Sequence, residues 1–594
     1  MTKKARSLLF VFLCLPFARP ALAAQPGALI IKHVTVIDAT GAAAKPGQTV
    51  VVTGDRITAI GRSEGMRTPK LAQTVDATGK FLIPGLWDMH VHLIDKDYLP
   101  LFLANGVTGV RVMWGQPPHR EWRKAIEAGQ MSGPRLVIAS PIVDGPKPYW
   151  FGSISVTNET QARQVVVDMQ RQGADFVKIY QGLPRELYFA IAEEAKKQGI
   201  PLEGHVPIAV SAEEASNAGQ ITFEHLIGIL PACSTHSDEL LKAQQADLAQ
   251  DIAGWGRPKF WGQHVKQTRQ MMLDTYSPEK AAGLFALLKR NGTWQCPTLT
   301  LLHMFAYGDD PAARKDTRLR YLPRQVSESW DPSKVDGAHT PEDFAFAKRE
   351  FQKDLEVVGA MQRAGVGILA GTDTPNPLCF PGFSLHEELR FLVKSGLTPM
   401  EALQAATLSP ARFLKKERDL GTVEQGKIAD LVLLDANPLE DIENTTKITA
   451  VVQGGKLYPR SSLDEMLSSV ESAAARPPIS DALFKTIQEK DVAAAVQQYR
   501  QLSTAKPPAY DFSENEFIVL GYRLIGMKRY KDAIEIFKLS VEAYPLSYNT
   551  YDSLAEAYMD NGDKDLAIKN YEKSLQLNPY NTNGQRRLKI LNGQ

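Results

Sequence analysis

The chain has 594 residues, of which 44% are hydrophobic and 23% charged, with a formal net charge of +1. That length exceeds what a single hydrophobic core organises, so two or three domains are expected. The balanced charge and the lack of any basic stretch argue against a nucleic-acid-binding surface.

The chain opens with "MTKKAR", an apolar "SLLFVFLCLPFA" and a small-residue "ALAA". These are the basic, hydrophobic and cleavage regions of a secretory signal peptide, predicted over residues 1–24. The apolar run is too short to span a membrane, and no later segment reaches the roughly 18 consecutive apolar residues that a span needs. A soluble exported protein, periplasmic or extracellular, is the expectation. Cys14 falls in the signal; Cys233, Cys296 and Cys379 remain, enough for one disulfide in an oxidising compartment with at least one thiol over.

Residues 25–84 alternate β-branched and polar side chains with Gly-Asp punctuation, as in "TVVVTGDRITAIG", and the same texture returns at 416–460. Together they predict a composite β-sandwich built from two distant parts of the chain. Between them, over 85–415, short apolar runs alternate with helical segments, the rhythm of a parallel sheet or barrel. Eight strands are predicted at 87–93, 106–113, 134–140, 175–180, 200–207, 221–227, 293–300 and 366–373. That number of parallel strands predicts a (β/α)8 TIM barrel, in an α/β fold class, with insertions at about 228–292 and 301–365 that would overhang the C-terminal mouth as lids.

Residues 461–510 read as a linker or a degenerate helical repeat. Over 511–594, Phe517, Leu520, Gly521, Ala533, Phe537 and Pro545 recur 34 residues later as Tyr551, Leu554, Ala555, Ala567, Tyr571 and Pro579. This period and pattern resemble the tetratricopeptide repeat, an all-α helix-turn-helix unit that stacks on its neighbours. A third, weaker unit is expected at 479–502, where "AAAVQQYRQL" resembles a second helix.

The chemistry-bearing residues fall at the ends of the predicted barrel strands. His90 and His92, in "FLIPGLWDMHVHL", are two apart, so an extended strand puts both imidazoles on one face. Lys178 stands in "DFVKIY", His205 in "EGHVP", His225 in "FEHL" and Asp373 in "AGTD". All would converge on one rim of a barrel, where active sites lie.

His-x-His on strand one, Lys on four, His on five, His on six and Asp on eight resembles the ligand set of the amidohydrolase superfamily. "LIPGLWDMHVHL", "NGVTGVRVM", "GADFVKIY", "TFEHL" and "GILAGTD" look like its imidazolonepropionase-like and prolidase-like branch. The resemblance covers about residues 28–458 and leaves the repeats as an independent fusion. It implies two divalent metal ions, zinc by donor type, with His90, His92 and Asp373 on one and His205 and His225 on the other. It implies that Lys178 bridges both as a carbamate formed with carbon dioxide, since a bare ammonium cannot ligate a cation. It also implies attack by a metal-bridged hydroxide on a carbonyl, with Asp373 as general base and then acid.

Tyr180 shares a strand face with Lys178; the resemblance implies that it orients the scissile carbonyl, with an ordinary strand-end aromatic as the alternative. Arg111 is expected to hold a substrate carboxylate bidentately, although the relatives' Arg-Asp pair is here Arg111-Val112. His386 reads as a helix-cap or surface residue, with a pocket-lining role as the alternative. His264, His303 and His339 carry no assignment. The leading expectation is hydrolysis of an amide bond in a dipeptide or N-acyl amino acid. The alternatives are a cyclic amide, lactone or ester hydrolase on the same site, or an inactive barrel serving as a repeat-bearing scaffold. A small-molecule substrate is expected at the barrel, and a protein partner or self-association at the repeats.

Overall fold

The computed structural model describes residues 27–150, 152–250, 263–330 and 340–593. The signal peptide expected at 1–24 lies outside these residues, as do His339 and the side chain of His264.

The β-branched N-terminal segment forms strands Ala28–Val36, Lys45–Thr53, Arg56–Arg62, Ala72–Asp76 and Phe81–Pro84, and Leu431–Leu434, Ile448–Gln453 and Lys456–Pro459 join them. The two halves meet where Phe81–Pro84 pairs antiparallel with Leu431–Leu434, Leu82 opposite Leu433. The strands form one continuous eight-stranded sheet, because each half supplies the edge that the other lacks. Leu29, Ile31, Val50, Leu82, Leu431 and Val452 share one apolar cluster. Burying each such side chain contributes about 1.5–3 kcal/mol.

Seven of the eight predicted parallel strands are present: Leu86–Val91, Val107–Val112, Arg135–Ile138, Val177–Ile179, Leu202–Gly204, Gln220–Glu224 and Trp294–Cys296. The first three pair with one another, and the last four pair in chain order, all in parallel. Single bridges continue these ladders, joining Ala139 to Phe176, Gln295 to Ile368 and Val91 to Thr374.

The predicted strand at 366–373 is not a regular strand. It makes only these single bridges and isolated backbone bonds, among them Asp373 N–H to the His90 carbonyl at 2.8 Å. Its composition explains this. A β-carbon on Gly371 would lie 2.5 Å from the Cys296 sulfur and 2.9 Å from the His90 β-carbon. Only glycine lets this segment press against the first strand, and the Asp373 backbone turns left-handed at φ +59°.

Helices such as Glu159–Arg171, Arg185–Gln198 and Pro341–Ala364 pack their apolar faces on the outward strand residues in one large core. The described residues of both insertions are largely helical. They touch through Arg269, which donates from Nε to Glu350 at 3.0 Å. Cys233, Cys296 and Cys379 are buried free thiols, so the possible disulfide is not formed.

After helix Arg460–Ala474 come three helix pairs: Ile479–Glu489 with Val492–Leu502, Glu514–Gly526 with Tyr530–Ala543, and Tyr548–Asn561 with Lys564–Leu577. Thr582–Leu591 closes the stack. The weak unit at 479–502 is therefore a real helix pair. A β-carbon on Gly521 would lie 2.3 Å from the Phe537 ring, which shows why a small residue recurs at 521 and 555 opposite an aromatic at 537 and 571. Phe484, Phe517, Leu520, Leu554 and Tyr571 form a core separate from the large one.

Candidate metal centre

The six residues singled out as ligands lie together at the C-terminal ends of the parallel strands. The His90 ring is 4.6 Å from the His225 ring and 5.4 Å from that of His92, and His225 is 4.8 Å from His205, centre to centre. Asp373 Oδ1 is 3.1 Å from His90 Nε2 and 2.8 Å from His92 Nε2, with His225 Nε2 3.9 Å from Oδ2. Ligand atoms of His90, His225 and Asp373 all fall within 4.8 Å of one another. Lys178 is fully buried beside them, with Val177 and Ile179 on the opposite strand face in the large core.

Two features suit this cluster to divalent cations. Its donors are imidazoles and a carboxylate, the set that zinc favours. In addition, His90 Nε2, His92 Nδ1, Asp373 Oδ1 and Lys178 Nζ are buried without a hydrogen-bond partner. Buried polar atoms are rarely left so, and all four belong to residues of this cluster.

The supporting contacts set the imidazoles for ligation. His90 Nδ1 is 2.8 Å from Glu224 Oε2, so its N–H donates to the carboxylate and the Nε2 lone pair faces Asp373. The Thr298 hydroxyl donates to the Pro297 carbonyl and so accepts from His225 Nδ1 at 2.6 Å, which turns His225 Nε2 inward. The Gln181 amide lies 3.1 Å from His205 Nδ1.

Burial shapes the charges. It pushes His225 down to about 3 and His205 well below its ordinary value, so both imidazoles are neutral and able to ligate at pH 7. His92 is also lowered, first by burial. Burial brings Lys178 down to about 8, leaving about a tenth of it as free amine at pH 7. Burial raises Asp373, but its interactions with the facing His90, His225 and His92 outweigh it, and the carboxyl lies well below its usual range. Backbone strain gathers here too: His225, Leu226, Thr298 and Asp373 all have φ between +48° and +59°.

Arg111 corrects the expectation of a substrate-binding cation. It is fully buried beneath the cluster, and its guanidinium is wholly engaged by the protein. Nε donates to the Met89 carbonyl at 2.6 Å, Nη1 to Glu203 at 2.6 Å and Nη2 to both Glu224 oxygens at 3.0 Å. Burial pushes Glu203 up to about 7. For Glu224 the same burial effect is overridden by Arg111, then His90, and the carboxyl lies below its usual range. Glu203 and Glu224 were not singled out from sequence, although each sits in an apolar strand beside a ligand histidine, in "EGH" and "FEH".

Cys296 lies near His90 and Glu224, and burial holds its thiol well above the usual range. Tyr180 does reach the cluster: its ring is 4.1 Å from His205, and its hydroxyl accepts from Trp150 Nε1 at 2.8 Å. His386 is neither cap nor surface residue. It is buried between the Thr445 hydroxyl at 2.9 Å and the Asn105 carbonyl at 3.1 Å. His303 stacks on Tyr307, 4.5 Å between centres.

Residues 316–458 match the amidohydrolase family, and 548–581 match the tetratricopeptide repeat. Ochratoxinase from Aspergillus niger is 24% identical over 481 residues, 69% of this chain and 82% of its own length. Bottromycin amidohydrolase shares the fold with a TM-score of 0.60 at 23% identity, over 78% of this chain and 95% of that one. A Xaa-Pro dipeptidase with bound methionine superposes with a TM-score of 0.52 at 20% identity, over 73% and 100%.

Proposed function

We propose, for a chain that belongs to the amidohydrolase superfamily and carries tetratricopeptide repeats, that it is an exported binuclear metal-dependent hydrolase cleaving an amide bond of a dipeptide or N-acyl amino acid. The observation that carries this reading is the convergence of four histidines, Asp373 and a buried, partnerless Lys178 on one point. The bridges at Ala139–Phe176, Gln295–Ile368 and Val91–Thr374 support a closed eight-stranded barrel around that point.

In this reading His90, His92 and Asp373 would hold one divalent cation and His205 and His225 the other, and Lys178, as a carbamate, would serve as a ligand to both. Two zinc ions there would polarise the scissile carbonyl and lower the pKa of the attacking water. Asp373, ionised and held by the imidazoles around it, accepts the proton of the water and returns it to the leaving nitrogen. Lys178, near pKa 8, supplies the free amine that adds to carbon dioxide. Tyr180 sits against His205 with its hydroxyl fixed by Trp150, placed to orient a substrate carbonyl. The basic and apolar N-terminal segment supports the export part of this reading.

The test is a panel of N-acyl amino acids, Xaa-Pro and other dipeptides, imides and lactones offered to the zinc-loaded protein. Turnover of N-acyl amino acids or dipeptides is expected. A full metal complement with turnover of lactones alone, or of nothing, would overturn the amide reading.

A further inference from the structure

The helical repeats are pinned to the catalytic unit. The Tyr580 hydroxyl donates to Asp168 Oδ2 at 2.6 Å, on helix Glu159–Arg171, and the Tyr580 ring packs against the large core. Asn515 reaches Gln325, in the second insertion, at 3.4 Å.

A third contact lies nearer the reaction centre. Tyr548 opens helix Tyr548–Asn561. A β-carbon on Gly152 would lie 2.9 Å from the Tyr548 hydroxyl and 3.7 Å from the Trp114 ring. Gly152 also has φ +85°, so the position takes glycine on conformational grounds as well. Trp114 stands edge-on to the His92 ring at 6.3 Å and 6.5 Å from Trp150. Trp150 in turn bonds the Tyr180 hydroxyl, and Tyr180 covers His205. A run of aromatic rings therefore leads from His92 through Trp114, Trp150 and Tyr180 to His205, and the Tyr548 hydroxyl of the repeats approaches Gly152, which adjoins that run at Trp114.

We propose that the repeats form a fixed wall of the substrate entrance and that Tyr548 is a specificity-determining residue, limiting the size of the apolar group seated against Trp114 and Trp150. This rests on the reading of the histidine cluster as the reaction centre. Flat, weakly polar rings favour an aromatic or large apolar substituent on the substrate, and the Tyr548 side chain sets how far that substituent extends.

The experiment compares the full-length zinc-loaded protein with Tyr548→Ala, Tyr548→Phe and Tyr544→Phe. The last removes only a hydroxyl that bonds the Phe512 carbonyl within the repeats. Kinetics use N-acyl amino acids graded from acetyl to naphthoyl. Tyr548→Ala should raise kcat/KM for the naphthoyl member relative to the acetyl member by roughly tenfold, the scale on which pocket size discriminates. Tyr548→Phe keeps the ring and should restore most of the wild-type ratio, and Tyr544→Phe should leave it unchanged. Hydrogen–deuterium exchange at residues 152–156 should be slow in the wild type and faster only in Tyr548→Ala. An unchanged size ratio in Tyr548→Ala, or wild-type exchange at 152–156 as fast as in an open loop, overturns the proposal. If the wild type turns over no member of the series, the amide reading fails, and exchange at 152–156 alone decides whether the wall exists.

Discussion

The Nδ1 atom of His90 and the Oε2 atom of Glu224 lie 2.8 Å apart, both fully buried, and Glu224 also binds Arg111. Glu224 thus ties an imidazole of the histidine cluster to a cation fixed in the floor beneath it. Orienting carboxylates of this kind typically contribute 10–100-fold to metal affinity. Glu224→Gln should weaken metal binding on that scale while His90 itself remains. Competition against a calibrated zinc chelator reads this directly, and unchanged affinity would show that Glu224 serves only Arg111.

Arg111 is predicted to matter for stability rather than for substrate affinity. Removing one partner of a buried ion network costs about 3–5 kcal/mol. Arg111→Met strands Glu224 and Glu203 beneath the cluster and should lower the denaturant midpoint clearly. Arg111→Lys should restore only part of it, because an ammonium cannot reproduce the forked contacts to Met89, Glu203 and Glu224. A normal midpoint with a raised KM for carboxylate substrates would contradict this.

Lys178 separates a bridging ligand from a bare cation. Lys178→Ala should lose most bound metal, and short carboxylic acids added to that variant should recover part of it by filling the vacated bridge. Carbon-13 NMR of wild type prepared in labelled bicarbonate should show a carbamate signal that Lys178→Ala lacks. Full metal retention in Lys178→Ala would place the lysine outside the ligand set.

Glu388 gives a pH signature independent of the metal. It is fully buried, accepts from the Thr300 N–H at 2.8 Å, and burial pushes it from an ordinary 4.5 up to about 8. Between those values the native state keeps a proton that the unfolded chain has released. Stability contributed at this site is therefore present at low pH and falls as pH rises through that window. Glu388→Gln should flatten this slope and be the more stable form at pH 8, by on the order of a few kcal/mol. Urea melts at pH 5 and pH 8 check it; equal slopes for both proteins would contradict it.

How much of this was legible in the sequence depended on whether a signal was local. The histidines, Lys178 and Asp373 were found because each is a polar residue at the end of an apolar run, and the repeat was found by its period. The eighth strand was misjudged because "VGILAGTD" has the apolarity of a strand, whereas its glycines serve close packing against Cys296 and His90. Arg111 was misassigned because strand alternation cannot tell the mouth of a site from its floor. Its partners Glu203 and Glu224 lie 92 and 113 residues away, and only the fold brings them beneath it. The Tyr548–Gly152 approach had no sequence signal, since it depends on how the repeats are placed.

The most direct test of the account is the metal content of the purified full-length protein after supply of zinc and bicarbonate, measured by mass spectrometry of the eluted metal against protein concentration. Four imidazoles, Asp373 and a bridging Lys178 predict close to two equivalents of zinc per chain, in keeping with the donor count. A content below one equivalent would contradict a binuclear centre and leave the cluster without the chemistry proposed for it.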